Sequence, residues 1–131
     1  LSQKTGLKII YIHSGFKKPI RATYIRSAGP EEFVGYIVNA KYIITNSFHG
    51  MAFSIIFHKC FFVGLLKPPS QVNCRLENIL DLFHLRNRQI VDGRNDFVDQ
   101  GIDYIAIEHA IQREREKSVN YLKDVLGLQN E

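Results

Sequence analysis

The chain has 131 residues, 45% of them hydrophobic and 23% charged, with a formal net charge of +4. That length supports one core and not two large ones, and no apolar run approaches the roughly 20 residues that a membrane span requires. The 17 Lys and Arg are scattered, so no nucleic-acid tract is indicated, and Cys60 and Cys74 show neither CxxC spacing nor the density of a disulfide framework.

The N-terminal LSQKTGLKII lacks an initiator Met and a signal-peptide pattern, and reads as the start of a fragment of a longer protein. Residues 7–13 (LKIIYIH) are apolar and β-branched, which predicts a strand, and residues 16–29 predict a loop carrying one more short strand. Pro30 followed by Glu31 and Glu32 predicts a helix start, with Phe33, Tyr36 and Ile37 on one face. YIIT (42–45) predicts a short strand buried on both faces of a parallel sheet, FHGMAFSIIFH a helix, and KCFFVGL (59–65) a further strand.

Beyond the proline-containing linker 67–73, CRLENILDLFHL places Leu76, Ile79, Leu80 and Phe83 at helical spacing. RQIV (88–91) reads as a last short strand and residues 92–101 as a surface loop. Residues 102–126 predict a long amphipathic helix that ends before Gly127 and covers the sheet. Strands alternating with helices predict an α/β fold, a Rossmann-like parallel sheet flanked by helices with right-handed crossovers. The stripe Phe53, Phe57, Phe61, Phe62 reads as core.

The chemistry concentrates where the 42–45 strand meets the following helix. Ligands of open parallel sheets bind beyond the carboxyl ends of the strands, and the first amides of a helix attract anions. Ser47 suits an N-cap or a ligand oxygen, Gly50 permits close backbone approach, and His49 can transfer a proton near neutral pH. The same residues also suit an ordinary capped turn with no ligand. His13, at the end of the first strand, and Ser14 beside it are candidates to line the same edge. His58, His84 and His109 fall at helix ends or on helix faces and read as structural or solvent-facing. Nothing in the spacing suggests a metal, and no dinucleotide or nucleoside triphosphate loop is present.

NAKYIITNSFHGMAFSIIFHKCF, followed by CRLENILDLFHLRNR, resembles the C-terminal half of the polysaccharide pyruvyl transferase family, with residues 29–91 carrying the likeness. REREKSVNYL resembles the family's closing helix more weakly. The resemblance implies the C-terminal donor-binding domain of a GT-B-type transferase, spanning residues 1–131 as a single and incomplete domain whose N-terminal partner domain is missing. It implies phosphoenolpyruvate as donor substrate, with no cofactor, and as acceptor a sugar of a cell-surface or exported polysaccharide, free or lipid-linked. The product would be a pyruvate ketal, made in the cytoplasm or at the cytoplasmic face of the membrane.

By the same likeness, His49 is the candidate general acid or phosphate-binding group. Ser47 and the amides of Gly50 and Met51 would cradle an anionic end of the donor. Arg75 would hold a carboxylate or phosphate, its other reading being a surface arginine. Asn46 stands where many relatives carry Asp, and Arg88 matches a second family arginine, for which a structural salt bridge is the expected role. Two other readings remain open: a GT-B glycosyltransferase using a nucleotide sugar, and a non-catalytic domain of the same fold.

Overall fold

A computed structural model of the chain describes residues 2–13, 20–66, 73–91 and 101–128. The expected loop residue Ser14, most of the linker 67–73 and most of the loop 92–101 lie outside the described residues. In chain order the elements are α1 (Ser2–Thr5), β1 (Ile10–Ile12), β2 (Thr23–Ile25), α2 (Pro30–Asn39), β3 (Tyr42–Thr45), α3 (Phe48–Ile56), β4 (Cys60–Val63), α4 (Asn73–Leu82), a 3-10 turn (Arg86–Arg88) and α5 (Tyr104–Leu126).

Local chemistry sets the helix starts. Pro30 occupies the first turn of α2, where its missing N–H costs nothing, and Glu32 Oε2 accepts from the Gly29 amide at 2.9 Å. Asp103 caps α5 by accepting from the Ala106 amide at 3.1 Å, and Gly127, in the left-handed region at φ 66°, ends it. The α3 helix stops where His58 turns to φ 51° and Lys59 donates back to the Ser54 carbonyl at 2.8 Å.

The fold is α/β, and both strand pairs are parallel. One expectation changes: the described strands form two separate two-stranded sheets, β1–β2 and β3–β4, and not one continuous sheet. The β3–β4 pair joins Tyr42 to Cys60 through Thr45 to Val63, with α3 as the crossover. Residues 88–91 are not a strand. Arg88 closes the 3-10 turn with its amide on Leu85 O, and the extended Gln89 makes a single parallel bridge to Val63, whose carbonyl accepts from the Ile90 amide at 2.8 Å. β3 is also not buried on both faces, for Ile44 is 61% exposed.

The core gathers around β4 and the inner faces of three helices. Met51, Ile55, Phe61, Val63, Leu76, Leu80, Leu85 and Ile107 form one buried cluster, with Ile79 and Phe83 packed against it. Burying each such side chain stabilises by roughly 1.5–3 kcal/mol. The aromatic stripe divides: Phe61 and Phe62 are buried, Phe53 is half-buried between Phe33 and Phe57, and Phe57 is exposed.

Arg88 is 1% exposed; its guanidinium lies over the Phe62 ring, and Nη2 donates to the Gly101 carbonyl at 2.8 Å. A backbone carbonyl and an aromatic face thus hold it in a structural position, tying the turn after α4 to the start of α5. Only the first turns of α5 reach the core. Ile107 and Ala110 are its buried residues, so the helix does not cover the sheet along its length. Tyr104 anchors this end by donating to the Lys59 carbonyl while its ring stacks on His58, whose Nε2 lies 3.0 Å from Glu108. Burial, together with nearby Cys60, pushes the Tyr104 phenol well above its usual range. Burial likewise raises the Cys60 thiol, against the opposing charge of Arg88.

Candidate functional site

The polar junction between β3 and α3 is built by side chains that bond the backbone. Thr45 Oγ1 accepts from the Ser47 amide at 3.0 Å, and Ser47 Oγ caps α3 by accepting from the Gly50 amide at 3.4 Å. The Ser47 carbonyl takes the Met51 amide at 3.0 Å, the first hydrogen bond of the helix. The amides of Gly50 and Met51 are therefore engaged by Ser47. The amides of Phe48 and His49 precede the first intrahelical acceptor and mark the positive end of the helix dipole.

Gly50 has a packing reason to be glycine. A Cβ there would sit 3.1 Å from Thr45 Cβ and closer still to Thr45 Oγ1, so the helix could not approach the strand end so closely. Met51, wholly buried in the core, fixes the inner side of the same turn. Ser54, also buried, returns its hydroxyl to the Gly50 carbonyl at 2.6 Å. The outer side is open: Asn46 and His49 are exposed, and Ser47 and Phe48 are half-buried.

Phe48 connects this turn to α4. Its ring packs against the hydrophobic cluster, lies 5.7 Å from the His49 ring, and carries the Arg75 guanidinium 5.6 Å from its centroid. An exposed arginine from α4 and an exposed histidine from α3 therefore flank one aromatic ring. Nothing in the spacing of the sequence pointed to this role for Phe48. The signal that could have found it is its place between Ser47 and His49, where a helix-start aromatic must choose between core and surface.

His13 stands apart from this group. It follows β1 with its side chain exposed, its ring near Tyr11 and its amide on the Ile25 carbonyl at 3.1 Å, contacts that stay within the first sheet. Arg88 is buried away from solvent and takes no part. The arrangement thus offers, at the carboxyl end of a parallel strand, two helix-start amides, one exposed imidazole and one guanidinium, a donor set suited to an anion with a transferable proton nearby.

No curated protein and no solved structure gives a significant match. The family model described as polysaccharide pyruvyl transferase matches residues 2–63. The matched segment takes in β1 and β2, ahead of the region that carried the sequence likeness, and ends at Val63, before α4 and Arg75. Over residues 2–63, just under half of the chain and including the strand–turn–helix unit around His49, the chain is thus similar to the polysaccharide pyruvyl transferase family.

Proposed function

We propose that this chain supplies the donor side of a polysaccharide pyruvyl transferase, binding phosphoenolpyruvate at the β3–α3 turn. The family implies a transferase. The observation that carries the finer reading is the exposed His49 in the first turn of α3, inside the family segment, with Arg75 beside it across the Phe48 ring. In this reading the donor's phosphate and carboxylate engage the Phe48 and His49 amides, Arg75 and the Asn46 amide group. Ser47, Gly50 and Met51 hold the turn in shape. The acceptor approaches from a domain of the GT-B type that completes the site.

The reaction balances without a metal or redox cofactor. Two acceptor hydroxyl oxygens bond to C2 of the donor, the methylene carbon gains a proton, and the bond from C2 to the phosphate oxygen breaks. One hydroxyl proton is accounted for in the new methyl group and the other leaves with phosphate. His49 delivers the proton to carbon, and the helix start with Arg75 stabilises the departing phosphate. The acceptor is a saccharide of an exported or cell-surface polysaccharide, modified on the cytoplasmic side. No helix among the described residues is long and apolar enough to cross a membrane.

Calorimetric titration of phosphoenolpyruvate, with inorganic phosphate and a nucleoside diphosphate as controls, tests this reading. Saturable binding of phosphoenolpyruvate that His49→Ala weakens is the expected result. Binding of the nucleoside diphosphate in its place would overturn it in favour of a nucleotide-sugar glycosyltransferase. In a full-length parent, pyruvyl transfer that His49→Ala leaves intact would make this a non-catalytic domain.

A further inference from the structure

Two exposed arginines follow the second sheet, and they are held in opposite ways. Arg86 is matched by acids: its Nε and Nη2 donate to the two carboxylate oxygens of Asp81, and Glu77 lies 3.9 Å from its Nη1. Arg75 has no carboxylate partner among the described residues, and its guanidinium lies 5.6 Å from the centroid of the Phe48 ring. An aromatic face attracts a guanidinium without cancelling its charge or using up its N–H donors. Those donors stay available to an anion.

Anchored elements surround this contact. Asn73, at the start of α4, accepts from the Leu66 amide at 3.0 Å and donates to the Leu66 carbonyl at 2.7 Å, which clamps the first turn of α4 to the chain just after β4. Leu76, next to Arg75, is wholly buried in the core, and Phe48 packs against the same core from the first residue of α3. The backbone of Arg75 and the ring beneath its guanidinium are therefore both fixed. What remains to be ordered is the long arginine side chain, whose rotamer freedom is lost when it grips a ligand. The His49 ring stands edge-on to the same Phe48 ring, at 87° and 5.7 Å between centroids.

We propose that Phe48 is a positioning residue for the donor: its ring pre-orders the Arg75 guanidinium beside the start of α3, so that an anion there meets a cation already in place. This role rests on the donor-site reading given above. Phe48 acts through Arg75 and not on the donor itself. An aliphatic residue at position 48 would fill much of the same space in the core and leave Arg75 without its platform.

Proton NMR of the ligand-free chain and calorimetric titration of phosphoenolpyruvate test the role, on the wild type, Phe48→Leu, Phe48→Tyr, Arg75→Gln and the combination of Phe48→Leu with Arg75→Gln. Protons over an aromatic face shift upfield, so the Arg75 side chain should show that shift in the wild type and Phe48→Tyr and lose it in Phe48→Leu. Phosphoenolpyruvate should bind Phe48→Leu roughly two- to five-fold more weakly, the size of an exposed cation–π contact, and bind Phe48→Tyr as it binds the wild type. Arg75→Gln should weaken binding, and Phe48→Leu should add nothing to that loss. Losses that multiply in full overturn the proposal, because Phe48 would then act through the fold and not through Arg75. Wild-type binding matched by Phe48→Leu overturns it as well. A wild type that binds no phosphoenolpyruvate overturns the donor-site reading itself, and this role with it.

Discussion

The two parallel strand pairs are alike in sequence and unlike in surroundings. β1 reads IYI and β4 reads CFFV, both apolar, both in register with one parallel neighbour. Yet Phe61, Phe62 and Val63 of β4 are 0–2% exposed, whereas Ile10 and Ile12 of β1 are 46% and 37% exposed. The difference lies in the helices that pack on each pair. α3 crosses over between β3 and β4 and, with α4 and the start of α5, covers the second pair, while the first pair carries its own aromatic face, Tyr11 edge-on to Tyr24 and His13. A strand's composition sets its local state; its helices decide whether it becomes core.

Substitutions should therefore separate the two pairs sharply. Phe61→Ala, which empties the centre of the cluster, is expected to cost about 3–5 kcal/mol in denaturant unfolding. A cost near zero would mean the second pair is not the core. Gly50→Ala should cost about 1–3 kcal/mol by forcing α3 off the end of β3, and the loss should shrink in combination with Thr45→Ala, since Thr45 is what the new methyl meets. Strict additivity of the two would remove that explanation for the glycine.

Smaller effects sharpen the same contrast. Ser47→Ala removes the α3 cap and should cost about 1 kcal/mol. Ile12→Thr, on the exposed pair, should stay within about 0.5 kcal/mol, as surface substitutions do. A large loss at Ile12 would show that the first pair is covered in solution.

The smallest effect is in the pH dependence. Arg86 hydrogen-bonds the Asp81 carboxylate at 2.6 Å and holds its pKa below the ordinary 3.8, so this contribution is present above that value and fades as pH falls through the lowered one. Asp81→Asn should flatten the acid limb of the stability profile slightly. An unchanged acid limb would mean the pair is not formed in solution.

Much of this was legible in the residues. The boundaries of β3 follow YIIT, Pro30 with its acids marks the start of α2, and Gly127 marks the end of α5. What could not be read was nonlocal. Ile44 looks like core because its neighbours are apolar, yet its side chain stays largely in solvent. RQIV has strand composition, yet Arg88, buried over Phe62, is taken up by the 3-10 turn, and the pairing with β4 shrinks to a bridge at Gln89. At the site, Ser47, His49 and Gly50 stood out through their position after a strand. The Ser47 cap on the Gly50 amide is the local contact that its position indicated, whereas the placement of Arg75 on Phe48 depends on a contact between α3 and α4, which spacing along one chain does not encode.

The most direct test of the donor site is amide mapping by NMR while phosphoenolpyruvate is added to the chain. A donor bound at the β3–α3 turn predicts that the largest shifts fall on the Phe48 and His49 amides and the Arg75 side chain, with Tyr11 and Tyr24 of the first sheet little changed. Shifts centred on the first sheet, or none near residues 46–49, would contradict it.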